Sequence, residues 1–151
     1  MIEEEEIIWK KVYEADLPSI IEEVRNFVEN PSVIVLSGEL GAGKTTFSKV
    51  FIEKGSTTSP TYSVIHEIGN IAHADLYRIE TDEDIIHLEI PLYLEDKEFF
   101  LVEWGKKYLS TLKKLIPEEF SYYELSISSN TEASSDSTGP SRNYLLSRVI
   151  V

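Results

Sequence analysis

Residues Gly38-Glu39-Leu40-Gly41-Ala42-Gly43-Lys44-Thr45 fit G-x-x-x-x-G-K-[ST] at every fixed position, and a second threonine, Thr46, follows. A triphosphate needs several backbone N–H groups pointing inward, and glycines permit the tight curvature and close approach this requires. Lys44 would place a point charge on the β and γ phosphates, and Thr45 would offer its hydroxyl to Mg²⁺. The run Glu39 to Thr46 therefore reads as a phosphate cradle.

Phosphate chemistry also needs an acid for the metal and its waters, at the end of a strand beside the loop. Glu103 follows the apolar run FFLV, and Asp75 follows Ile71 to Ala74. The residues alone leave open which of the two touches the metal. Thr61, in Ser59-Pro60-Thr61, is placed to reach the γ-phosphate as a switch threonine does; turn chemistry explains Ser-Pro equally well. His66 and His73 fall on strands without metal-ligand partners, His87 falls in a helix, and all three read as structural. The chain has four arginines, Arg25, Arg78, Arg142 and Arg148, of which Arg78 alone is close to these motifs in sequence.

The elements that would position these residues follow from periodicity. Trp9 to Tyr13 reads as a short strand. Asp16 is placed to cap a helix, with Pro18 in its first turn and an apolar face of Leu17, Ile20, Ile21, Val24, Phe27 and Val28. Ser32 to Leu36 is apolar on both faces, as a covered central strand is. Thr45 to Glu53 has helical character, with Gly55 as its C-cap. Thr61 to Glu67 and Ile71 to Ala74 predict a hairpin turning at Gly69-Asn70. Asp82 to Leu94 predicts a helix interrupted by Pro91, Phe99 to Val102 a buried strand, and Tyr108 to Ile116 a short helix. Tyr122 to Ser128 and Tyr144 to Val151 alternate as a terminal strand pair, around a low-complexity loop at about 128–142. The order predicts an α/β protein of P-loop NTPase-like fold, a mixed central sheet flanked by helices, in one domain over 1–151.

Composition narrows the setting. Of 151 residues 42% are hydrophobic and 27% charged, ordinary values for a globular chain, and there is no cysteine for a disulfide, a thiolate metal site or a thiol nucleophile. Fourteen basic against 27 acidic residues give a formal charge of -13, which opposes direct binding of nucleic acid or anionic lipid. The acidic start MIEEEEIIWKK does not resemble a signal or transit peptide, so a cytoplasmic location without membrane association is expected.

Taken in order, GELGAGKTT, SPTY, HADLYR and VEW make the chain resemble the TsaE (YjeE) family of bacterial P-loop ATPases, over about residues 9 to 109. The resemblance implies ATP and Mg²⁺ as ligands and a role in making N6-threonylcarbamoyladenosine (t6A) in ANN-decoding tRNAs. It implies docking on the TsaB–TsaD heterodimer, ATP hydrolysis there that resets the complex, feeble hydrolysis alone, and contact with tRNA only through those partners. By the same resemblance Lys44 and Thr45 take the phosphate and metal roles, and Thr46 extends the cradle. Thr61 becomes the switch-like threonine, Asp75 an acid of hydrolysis or partner coupling, Glu103 the Walker B-like metal acid, and Trp104 its companion aromatic. The chain departs from the family pattern in the link IEKGSTT, in the tight Gly-Asn hairpin, at Ala74 and in the serine-rich loop. A small-molecule or nucleoside kinase, which the scarcity of arginine disfavours, and a non-hydrolysing nucleotide-gated module are the alternatives.

Overall fold

The computed structural model describes residues 5–52, 64–130 and 140–151. In chain order these form β1 (Glu6–Val12), α1 (Leu17–Phe27), β2 (Ser32–Ser37), α2 (Lys44–Phe51), β3 (Ile65–Ile68) and β4 (Ile71–Asp75). There follow α3 (Asp82–His87), β5 (Phe99–Glu103), α4 (Leu109–Leu115), β6 (Ser121–Ser129) and β7 (Arg142–Val149). The seven strands make one sheet in the order β1-β7-β6-β2-β5-β4-β3. β2 runs parallel to both β5 and β6, and β4 runs parallel to β5. β3, β7 and β1 add antiparallel to the two sides of that parallel core, so the sheet is mixed, as the element order predicted.

The central strands are apolar on both faces because both faces are covered. From β2 and β5, Ile34, Leu36, Phe99 and Leu101 join α1 and α2 in one core. Their neighbours Val33, Val35, Phe100 and Val102 join Ile85 and Leu112, from α3 and α4, in the other. This alternation fixes the register, because a one-residue slip would turn each set toward the wrong layer.

Three local expectations are corrected. Asp16 does not cap α1 with its side chain; its carboxylate accepts from the Tyr13 N–H at 2.9 Å, closing a single 3₁₀ turn that leads into the helix. The helix expected over 82–94 ends at His87, because Glu89 adopts a left-handed conformation and Ile90–Tyr93 forms a separate 3₁₀ turn around Pro91. Thr81 supplies the N-cap, its hydroxyl accepting from Asp84 N at 3.2 Å. Ser129 and Arg142, assigned to the serine-rich loop by composition, are ladder residues that face each other. The Gly69-Asn70 turn is observed as expected, with Ile68 opposite Ile71. Gly55 lies outside the described residues. Among the described residues no helix is long and apolar enough to cross a membrane.

Candidate functional site

β2 delivers the chain to the edge of the sheet, and α2 begins seven residues later at Lys44. Gly38 must be glycine: its φ is +146° and a Cβ there would collide with the carbonyl oxygen of Ile127 on β6. Gly43, the N-cap of α2, has φ +112°. The loop therefore packs its backbone directly against the neighbouring strand, and together with the start of α2 it borders a cavity of about 300 Å³. That cavity is lined by Lys44, Thr45, Thr46, Asp75, Glu103 and Arg142, among others.

β4 and β5 are in parallel register with Asp75 opposite Glu103, so both acids leave the sheet at the same level. They point to the α2 face, as do Ile71 and Leu101 two or four residues earlier. Glu103 is almost fully buried, at 2% exposure, whereas Asp75 is exposed and accepts from the Tyr77 N–H at 3.1 Å. This separates their positions. Glu103 lies under the N-terminal turn of α2, and Asp75 sits at the mouth of the cavity.

Three donors converge on Glu103. Thr45 Oγ1 donates to Oε1 at 3.1 Å, Ser48 Oγ donates to Oε2 at 3.3 Å, and His73 Nε2 stands 2.6 Å from Oε2. Burial pushes the Glu103 carboxyl up, but the His73, Thr45 and Ser48 hydrogen bonds more than offset this, leaving it below the usual carboxylate range. An ionised carboxylate only accepts, so the His73 Nε2 carries the proton in this contact. Thr45 spends its single O–H on Glu103, so its oxygen lone pairs stay free on a residue that lines the cavity.

Lys44 folds over the loop. Its Nζ donates to the carbonyl oxygens of Gly38 and, at 2.9 Å, Glu39, and it lies 3.9 Å from the centre of the Trp104 ring. Burial pushes the Lys44 ammonium down, and the charges of Glu103 and Asp75 restore part of the shift. Trp104 reaches this position because it follows Glu103 in a left-handed conformation, φ +63°, which turns its ring back toward the loop and onto Tyr77 at 5.1 Å between centroids.

Lys44, Thr45, Thr46, Asp75 and Glu103 are thus gathered around one cavity, together with Leu40, Gly41 and Gly43; Glu39 lends a carbonyl, and Ala42 is buried beneath the loop. Thr61 lies outside the described residues. Sequence reasoning missed three contributors. Ser48 lies three residues after Thr45 and shares its helix face. His73 lies two before Asp75 and shares its strand face. Arg142 is remote in sequence and enters the cavity only because β7 pairs with β6.

The donor set suits Mg²⁺. It offers a hydroxyl and a carboxylate, both hard oxygen ligands, and among the described residues no group of three or more His, Cys, Asp or Glu side chains is arranged as a self-sufficient metal cage. Mg²⁺ is commonly held in this way, by one or two carboxylates together with substrate phosphates and water.

Comparison with known proteins agrees with this architecture. The family described as "Threonylcarbamoyl adenosine biosynthesis protein TsaE" matches residues 12–137. A tRNA threonylcarbamoyladenosine biosynthesis protein TsaE from Bacillus subtilis is 31% identical over 119 residues, covering 74% of this chain and 72% of the relative. A protein of the same description from Haemophilus influenzae is 35% identical over 88 residues, covering 52% and 55%. The crystal structure of Bacillus subtilis YdiB superimposes with a TM-score of 0.58 at 24% identity, over 99% of this chain and 89% of that one, and so shares the fold. With a family match from β1 through β6 and a glycine loop, buried acid and mixed sheet in the order that the resemblance implied, this chain belongs to the TsaE family, whose members serve tRNA threonylcarbamoyladenosine biosynthesis.

Proposed function

We propose that this chain is the ATPase of a t6A-forming assembly: it binds ATP with Mg²⁺ in the cavity around Lys44 and hydrolyses it when docked on a TsaB–TsaD heterodimer. The observation that carries the reading is the pair Thr45–Glu103. A buried, ionised carboxylate holds the hydroxyl of the G-K-[ST] threonine at 3.1 Å, and both residues line the phosphate cavity. A structural acid would have no reason to be set under a phosphate loop with three donors holding its charge.

In this reading the loop N–H groups and the α2 N-terminus receive the phosphate oxygens. Lys44 exchanges the Gly38 and Glu39 carbonyls for the β and γ phosphates. Thr45, through its hydroxyl, and Glu103, through its carboxylate, would hold Mg²⁺. Mg²⁺, when bound, neutralises charge developing on the β and γ oxygens. Asp75, at the mouth, orients the attacking water, and Thr61 serves as the switch threonine. Most of the catalysis is positioning and charge neutralisation, which a partner improves by ordering the site and excluding water. The formal charge of -13 fits a protein that meets tRNA only through partners in the cytoplasm.

Phosphate release from ATP, measured for the chain alone and with TsaB–TsaD, tests this. Slow release alone and clear stimulation by the pair is the expected result. Firm ATP binding with no release under either condition overturns hydrolysis and leaves a nucleotide-gated module; transfer to a small acceptor without partners would make the chain a kinase.

A further inference from the structure

The start of β7 brings one more charge to the cavity. The Arg142 side chain lies against the P-loop so closely that a Cβ on Gly43 would stand 2.7 Å from Nε and 2.9 Å from Cδ. Arg142 lines the same cavity as Lys44, Thr45 and Thr46. Its Nε is buried and has no hydrogen-bond partner among the described residues, and no carboxylate among them pairs with its guanidinium. In a chain with 27 acidic residues, a half-buried arginine whose Nε is buried and meets no carboxylate among the described residues stands out. A buried N–H without a partner carries a desolvation cost that an anionic ligand would relieve.

Sheet order says which part of an anion it meets. Glu103 ends β5, on one side of β2, whereas Arg142 begins β7, two strands away on the other side. The guanidinium therefore approaches the loop from the flank opposite the metal-binding pair Thr45–Glu103. It meets the end of a polyphosphate that is remote from the γ-phosphate.

We infer that Arg142 is a phosphate-binding residue that grips the α-phosphate of the nucleotide from the β7 side, with Gly43 kept free of a side chain so that the guanidinium can reach it. This rests on the phosphate-cradle reading above. Sharing of the anion divides naturally: Lys44 takes the β and γ groups as a point charge, and Arg142 takes the α group with its planar fork.

Equilibrium binding of Mg-ATP and of Mg-tripolyphosphate, which has no base or sugar, tests the inference by calorimetry on the whole chain and on Arg142→Gln. Arg148→Gln serves as control, since Arg148 pairs with Glu5 and Glu29 at the surface away from the loop. Arg142→Gln should weaken both ligands by a similar factor, about ten- to a hundredfold, the usual worth of a charge-assisted hydrogen bond. Its melting temperature should match that of the unchanged chain. Should the Gln variant not fold, Arg142→Lys reads the same contact, with about threefold weaker binding or more because the charge stays and the fork is lost. Unchanged affinity for both ligands, in whichever variant folds, overturns the inference. So does weakened ATP with unchanged tripolyphosphate, which would put the guanidinium on the base. Failure of the unchanged chain to bind either ligand would instead overturn the phosphate cradle itself.

Discussion

His73 Nε2 stands 2.6 Å from Glu103 Oε2, on the strand next to it and on the same face of the sheet. The contact occupies the carboxylate oxygen that points away from Thr45, so His73 decides how Oε1 is presented to the cavity. On the proposed function it is a positioning residue, which would act on Mg²⁺ through Glu103.

His73→Ala should therefore raise the Mg²⁺ concentration needed for half-maximal ATP turnover by about 10–100-fold, the usual effect of losing a hydrogen bond behind a metal ligand. Metal-free nucleotide affinity should be unchanged. His73→Gln, which keeps a donor at similar reach, should recover part of the loss. A uniform fall in turnover at every Mg²⁺ concentration would show that His73 only supports the fold.

Glu103→Gln preserves shape and removes charge. Nucleotide binding should persist through the loop and Lys44, while turnover should fall by roughly 10²–10³, the scale seen when one preorganised electrostatic group is removed. Separate binding and phosphate-release assays check it. A variant that loses binding as severely as Lys44→Ala would make Glu103 a scaffold for the loop.

Gly43→Ala should be costly twice over. Its φ of +112° is adopted at little cost only by glycine, and the new methyl would meet Arg142 Nε at 2.7 Å. The strain alone is worth about 1–3 kcal/mol. Denaturant unfolding should show that loss, and combining Gly43→Ala with Arg142→Ala should relieve the contact part but not the backbone part. Equal stability of the single and double variants would mean that the two residues do not press on each other.

Much of this was legible in the sequence, for reasons that differ by residue. The loop could be read because its chemistry is local: curvature, charge and hydroxyl lie within eight consecutive positions. Glu103 could be read because FFLV is apolar on both faces, so a charge at its end needs a reason. Ser48, His73 and Arg142 were not legible, because each gains meaning only from a partner set by register or strand order. His73 looks like any strand histidine until β4 and β5 are aligned. Arg142 looked like loop until β6 and β7 were seen to pair as far as Ser129. The break after His87 was half legible: Pro91 announced it, but the left-handed Glu89 places it earlier.

Tyr122 offers a test of the second core by pH. Its ring is buried beside Ile116 and Phe120, its hydroxyl has no hydrogen-bond partner among the described residues, and burial pushes its pKa up to about 12. In the unfolded chain the phenol titrates near about 10. The folded form thus keeps its proton longer. Tyr122 favours folding fully below about pH 10, and that contribution is lost as pH rises toward about 12. Denaturant midpoints measured across this window should fall less steeply for Tyr122→Phe than for the unchanged chain. At neutral pH the same variant should be neutral or stabilising, since it deletes an unsatisfied buried hydroxyl. Parallel pH slopes would show that the hydroxyl is solvated.

Trp104 should report nucleotide directly. Its ring carries the Lys44 ammonium 3.9 Å from its centre, a cation–π contact worth about 0.5–2 kcal/mol. Phosphate binding draws that ammonium off the ring face, so the two events compete and the emission of Trp104 must change. The other tryptophan, Trp9, donates its indole N–H to Glu23 at 3.0 Å against α1 and does not line the cavity. Mg-ADP should therefore change the fluorescence of the unchanged chain and of Trp9→Phe alike, and leave Trp104→Phe silent. Lys44→Ala should begin with altered emission and respond little to nucleotide, because the cation is already gone. Trp104→Phe should also bind nucleotide slightly more tightly, since Lys44 then has less to give up on leaving its resting contacts. A signal that survives in Trp104→Phe would mean that nucleotide moves the α1 side of the molecule, and that Lys44 does not leave the indole when phosphate arrives.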